Sequence, residues 1–178
     1  MEFIKTDIEG LILIKPKVIT DSRGFFLESY SVSKFKEGGI DCEFVQDNHS
    51  CSVSAGVIRG LHFQTEPFSQ SKLVRVIRGS IFDAAVDLRR DSPTFGQWRG
   101  FNLSAANFDM LFIPRGFAHG FCTLEDNSEI VYKADNLYSP RHDGGIIWND
   151  PDIGITWPIK NPILSPKDSN LPTLNQVF

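Results

Sequence analysis

The sequence predicts an all-β fold, a small antiparallel sandwich or barrel, on three observations. Short β-branched or aromatic runs recur between turn residues, one of them alternates with period two, and a single segment reads as a helix. The runs are, in order, LILIKPKVI, GFFLESY, VIRGLHF, KLVRVIRG, SIFDAAVDLR, MLFIP, HGFCTL and EIVYKAD. Between the second and third lies the helix, in SVSKFKEGG, where Ser31 or Ser33 can cap the start and Gly38 or Gly39 the end; it reads as a surface insertion. Gly79-Ser80 reads as a hairpin turn leading into the run from Ile81 to Leu88. In that run Phe82, Ala84, Val86 and Leu88 fall on one face and Asp83 and Asp87 on the other, the pattern of a half-buried strand. The tail WPIKNPILSPKDSNLPTLNQVF has four prolines after Trp157, which forbid regular central strands, so it is expected to wrap the barrel as extended irregular chain.

The 178 residues, 41% hydrophobic and 22% charged, fit one domain over residues 1–178 with its own core. Lys plus Arg number 18 against 22 Asp plus Glu, a net charge of -4, so bulk charge recruits neither nucleic acid nor an anionic membrane. A polyanionic ligand then requires a local basic cluster. Cys42, Cys51 and Cys122 form no CxxC pair, which argues against a disulfide framework and a thiolate zinc site and for a reducing, cytoplasmic setting. The start, MEFIKTDIEG, lacks an apolar stretch of signal-peptide length, and no later run approaches the ~20 apolar residues that span a bilayer.

Four histidines are candidates for chemistry: His49, His62, His119 and His142. A histidine in a β protein is often a hydrogen-bonded packing residue, and His142, in the turn-like YSPRHDGG, reads that way. His62 sits in VIRGLHFQ among apolar residues, and nearby strands bring Lys72, in QSKLVRV, and Tyr132, in EIVYKAD. A base, a cation and a phenol in one barrel suggest a reaction. Arg59, Lys72, Arg75 and Arg115 are the basic residues near this set, and each alone reads as a solvated charge, yet Arg59 and Lys72 beside a barrel histidine offer the charge-assisted hydrogen bonds a pyrophosphate needs. With no P-loop and no GxGxxG, neither nucleotide hydrolysis nor hydride transfer has support. FIPRGFAHGF sets Pro114, Gly116 and His119 at the spacing PxGxxH, which resembles the second motif of the cupin barrels, where the histidine can be a metal ligand. Metal-binding cupins also carry HxH, and here that position reads His62-Phe63-Gln64, so no metal is expected.

The strings QDNHS, RGLHFQ, KLVRVIRG, DLRRDSPTFGQW, FIPRGFAHGF, YKADNLYSP and WNDPDIGI, in this order, closely resemble the dTDP-4-dehydrorhamnose 3,5-epimerase family over nearly the whole chain. The resemblance implies a cupin-like jelly-roll β-barrel with a few short helices and an extended C-terminal tail. It implies a dTDP-linked 4-keto-6-deoxyhexose as substrate, no cofactor, and a homodimer with exchanged N-terminal strands. The family's catalytic histidine falls on His62, its tyrosine on Tyr132 and its lysine on Lys72. Its histidine-orienting aspartate falls on Asp168 in LSPKD, with Lys167 beside it as a substrate-binding candidate. Further binding positions carry over as Gln46, Asn48, Arg59, His119 and Tyr138, and as Arg23 and Glu28, which act in the partner's site if the strands are exchanged. One departure is that the SPEHE string common in the family reads SPRHD, leaving the shorter Asp143 as the binding carboxylate.

Inverting a stereocentre beside a ketone needs a base on one face, a proton donor on the other and a cation for the enolate between them. His62, Tyr132 and Lys72 fill these roles, and a carboxylate such as Asp168 on the far ring nitrogen fixes the tautomer. Inversion of carbon 3 and carbon 5 is the implied reaction. The same residue types also suit a mono-epimerase or a ketoisomerase on a related nucleotide sugar. A non-catalytic cupin sugar-binding module should lack one of the three, and a metal-dependent cupin oxygenase is disfavoured by the missing HxH.

Overall fold

Alternating side chains along short strands sort this chain into two facing sheets. The computed structural model describes residues 1–178. The strands are β1 (Glu2–Lys5), β2 (Ile12–Lys15), β3 (Val18–Asp21), β4 (Gly24–Leu27), β5 (Gln46–Ser52), β6 (Ile58–Gln64) and β7 (Lys72–Arg78). They continue as β8 (Ser80–Asp87), β9 (Trp98–Ser104), β10 (Met110–Ile113), β11 (Phe117–Thr123), β12 (Ser128–Ala134) and β13 (Asp143–Gly145). Helix α1 covers Val32–Glu37, a 3-10 turn Asp168–Asn170, and α2 Leu174–Val177. One sheet runs β1-β2-β10-β7-β12-β5 and the other β13-β6-β11-β8-β9, antiparallel throughout, with β3-β4 as a separate hairpin. Two antiparallel sheets closed face to face make the all-β jelly roll that was expected. No helix is long and apolar enough to cross a membrane.

Three apolar layers hold the sheets. Val74, Val76, Leu111 and Ile130 from one sheet meet Ile81, Ala85 and Phe121 from the other to form the core between them. Outside the five-stranded sheet, Leu61, Phe63, Val86 and Leu88 are covered by Ile146, Ile153 and Leu174 from the last third of the chain. Outside the six-stranded sheet, Ile12, Leu73, Met110 and Phe112 are covered by Phe35 and Ile40. Helix α1 starts after Ser31 and closes on Gly38, as the sequence suggests. It is more than a surface insertion, because Phe35 is 1% exposed and makes edge-to-face contacts with Phe3 and Tyr30.

Two other expectations change. Gly79, at φ +72°, is not a hairpin turn: β7 and β8 lie in different sheets, and the glycine carries the chain across the barrel edge. Strand β8 is not half-buried, since Asp83 and Asp87 are both 0% exposed. The alternation is real, but β8 is an interior strand of its sheet, with Phe82, Val86 and Leu88 turned toward the covering tail and Ile81, Asp83, Ala85 and Asp87 turned into the barrel. That tail forms no sheet strand, only a bridge from Ile163 to Val57, and ends in the 3-10 turn and α2.

Candidate active site

A β-bulge in β6 gives the site its shape. Opposite β11, His62 pairs with His119 and Arg59 with Phe121, so three steps along β6 match two along β11. In a regular strand residues three apart face opposite ways; here the extra residue lets Arg59 and His62 line the same cleft. Gly60 permits this at φ +127°, and a Cβ there would lie 2.5 Å from the Cα of Gly120 and 2.7 Å from the His119 carbonyl oxygen.

The cleft, about 300 Å³, lies between the sheets. His62 and His119 line it from the five-stranded sheet, Lys72, Tyr132 and Ser50 from the six-stranded one, and Ser165, Lys167 and Asp168 from the tail. His62 Nε2 is 2.5 Å from Oδ1 of Asp168, whose other oxygen accepts from Ser165 Oγ at 2.8 Å. Burial pushes the Asp168 carboxyl up, but the hydrogen bonds from His62 and Ser165 outweigh it and leave the group below the usual carboxylate range. An ionised carboxylate only accepts, so Nε2 of His62 carries a hydrogen and its other nitrogen, Nδ1, is free to take a proton when the ring is neutral. Lys72 Nζ stands 5.9 Å from the Tyr132 ring centre. Burial pushes the Lys72 ammonium down to about 8, partly countered by the charges of Asp83 and Asp143. Burial also raises the Tyr132 phenol above its ordinary value, against the pull of Arg59, so it holds its proton at neutral pH.

Of the other candidate binding residues, Arg59 and Lys167 line this cleft, while Gln46, Asn48, Tyr138 and Asp143 do not. Arg59 donates to Ser52 Oγ and to the Cys51 carbonyl, both at 3.2 Å. Asp143 Oδ2 accepts from Lys167 Nζ at 2.5 Å and from the Tyr138 hydroxyl at 3.1 Å, while Gln46 accepts from the Tyr138 amide at 3.0 Å and donates to Asn48 at 3.1 Å. Arg23 and Glu28 stand apart from this set. Arg23 is paired with Asp21 on the exposed hairpin, Glu28 is paired with Lys34, and neither lines this cleft. Arg75 and Arg115, counted among nearby cations from sequence, also lie elsewhere. Arg75 lines a second cleft with Asp47, His49 and Met110, and Arg115 is paired with Asp135. His142 is bonded to Ser139 and stacked on Phe68, the packing role expected of it. His119 instead donates to buried Asp83, which the period-two pattern of a half-buried strand puts on the solvent face; its parity with Ile81 and Ala85 is the signal for burial. No three His, Cys, Asp or Glu side chains converge as a metal-ligand set would.

Comparison with known proteins places this geometry in context. Residues 5–176 match the family model described as dTDP-4-dehydrorhamnose 3,5-epimerase. A protein of that name from Shigella flexneri is 55% identical over 96% of this chain and 94% of its own length. The crystal structure of a Bacillus anthracis dTDP-4-dehydrorhamnose 3,5-epimerase with TDP and PPi bound superposes with a TM-score of 0.95 at 51% identity, covering 97% of this chain and 99% of that one. A Legionella pneumophila dTDP-6-deoxy-D-glucose-3,5-epimerase, solved in complex with dTDP-4-keto-L-rhamnose, gives a TM-score of 0.95 at 45% identity, covering 99% and 94%.

Proposed function

The chain belongs to the dTDP-4-dehydrorhamnose 3,5-epimerase family, and from that premise we propose that it inverts carbon 3 and carbon 5 of dTDP-4-dehydro-6-deoxy-D-glucose to give dTDP-4-dehydro-L-rhamnose. The observation that carries the reading is a single cleft in which a carboxylate-oriented imidazole faces a partly buried cation and a phenol. His62 removes the proton beside the carbon 4 ketone through Nδ1, and Asp168 stabilises the imidazolium that forms. Lys72 balances the charge that develops on the ketone oxygen, where low dielectric makes a fixed cation count for more than it does in water. Tyr132 returns a proton to the opposite face; solvent then takes the proton from His62 and restores that of Tyr132, and rotation or reseating of the sugar brings the second carbon to the same groups.

Arg59, Lys167, Gln46, Asn48, His119, Tyr138 and Asp143 bind the nucleoside diphosphate sugar in this scheme. Arg59 and Lys167, beside Lys72, supply the local basic cluster that a polyanionic ligand requires of a net acidic chain. Residues 1–178 act as one domain, in the cytoplasm, as a homodimer whose N-terminal hairpins carry Arg23 and Glu28 to the partner's cleft. Support for the dimer comes from that hairpin, which exposes Ile19, Phe25 and Phe26 by 56%, 58% and 69%. The reaction needs neither metal nor redox cofactor, because the residues supply base, acid and counter-charge themselves.

Solvent isotope tests the assignment. Each inversion replaces one carbon-bound hydrogen with one from solvent, so product formed in heavy water, trapped by a reductase and read by NMR, is expected to carry deuterium at both carbon 3 and carbon 5. Deuterium and inversion at one carbon only, after complete conversion, would make the protein a mono-epimerase.

A further inference from the structure

Asp83 is a charged group in the barrel that the scheme above does not use. It is 0% exposed and shares the inward face of β8 with Asp87. The two buried carboxylates are served very differently. Asp87 accepts from the Arg89 amide and guanidinium and from the hydroxyls of Ser92 and Thr94, a saturated structural anchor. Asp83 has one partner, His119 Nε2, at 3.0 and 3.1 Å from its two oxygens. An ionised carboxylate so deep in a barrel needs a compensating charge. Lys72, on the facing sheet, shares the cleft with His119 and has no salt-bridge partner of its own, and Asp83 exerts the strongest charge acting on it.

We propose that Asp83 is a positioning residue for epimerisation, the buried counter-ion that keeps the facing Lys72 protonated and fixes His119 with its Nε2 hydrogen turned into the barrel wall. The inference rests on the cleft being the epimerase site. A lysine dry enough to stabilise an enolate strongly is also dry enough to lose its proton, and a neutral amine offers the oxyanion little. A carboxylate touching the ammonium would cure that but would repel the enolate and the diphosphate. Behind His119, Asp83 acts on Lys72 through space and stays out of the substrate's reach.

Other charged groups also act on Lys72. Asp143 from β13 reinforces Asp83 and Lys167 from the tail opposes it. Tyr132 from β12 faces it at 5.9 Å from ring centre to Nζ, and Arg59, His62, His119 and Asp168 share the cleft. The test therefore reads Lys72 itself, by NMR titration of protein labelled with 13C at the lysine ε carbons, with the Lys72 signal assigned from its loss in Lys72→Met. A wild-type midpoint near 8 is expected. Asp83→Asn should lower it by about one pH unit or more and move the alkaline limb of kcat/KM to lower pH by the same interval, whereas Asp168→Asn should leave the Lys72 midpoint in place. An unmoved midpoint in a folded Asp83→Asn protein, even one with reduced turnover, makes Asp83 a structural residue and overturns the inference. If Asp83→Asn does not fold, Asp83→Ser decides by the same readout: a Lys72 midpoint lowered by about one pH unit or more supports the role and an unmoved one overturns it. Failure of the wild-type enzyme to convert the sugar would sink the functional reading instead, while the Lys72 titration would still be readable.

Discussion

An imidazole has two nitrogens, and in the proposed scheme proton transfer at His62 depends on which one keeps its hydrogen. Asp168 makes that choice through Nε2. Asp168→Asn can still bond to the ring, but it no longer stabilises an imidazolium and can present an N–H that selects the wrong tautomer. We expect kcat to fall by about 10²–10⁴-fold while dTDP binding, measured by calorimetry, changes by less than about threefold, because the diphosphate is held by other side chains. A parallel loss of nucleotide affinity would show that the pair shapes the binding site instead. Of these residues, His62, Lys72 and Tyr132 were legible as chemical types on predicted strands. Asp168 was not, because it lies 106 positions from His62 and no strand periodicity links an irregular tail to a barrel wall. Asp83 was misread for a different reason: an acidic residue alternating with apolar ones looks solvent-facing unless both faces of its strand are known to be covered.

At the scale of the element, the bulge in β6 matters most. Strand order, bulges and sheet changes are long-range facts, so the strings around β6 and β7 revealed strands without revealing that Gly60 inserts a residue or that Gly79 changes sheets. Helix α1 was legible because its boundaries are local, with serine before it and glycine after. Gly60→Ala should be among the costliest single substitutions on β6, since the new Cβ meets the Gly120 and His119 backbone rather than a yielding side chain tip, and φ is +127°. A loss of about 2–4 kcal/mol in urea unfolding is expected, together with lower activity in whatever fraction stays folded, because Arg59 and His62 no longer share a face. Wild-type stability in this variant would mean that the bulge can shift at little cost.

Taken as a whole molecule, the barrel is two sheets held apart by the Val74, Ile81, Leu111 and Ile130 layer and closed on the outside by α1 and the tail. Ile130 is 2% exposed and shares β12 with Tyr132. Ile130→Ala should cost about 2–4 kcal/mol. In heavy water it should also raise the ratio of deuterium washed into recovered substrate to inverted product, because Tyr132 then stands less firmly. An unchanged ratio would separate core packing from the chemistry. The expectation follows from which sheet carries which group: His62 belongs to the five-stranded sheet, Tyr132 and Lys72 to the six-stranded one. In the proposed scheme a sugar ring between them meets the base from one sheet and the acid from the other. Packed sheets normally stand about 10 Å apart with side chains filling the gap; the cleft of about 300 Å³ is the room left for a ring, so handedness in the product becomes a matter of spacing in the protein. The partition between exchange and inversion is then a chemical ruler laid across the barrel, reporting small changes in the separation of its two walls.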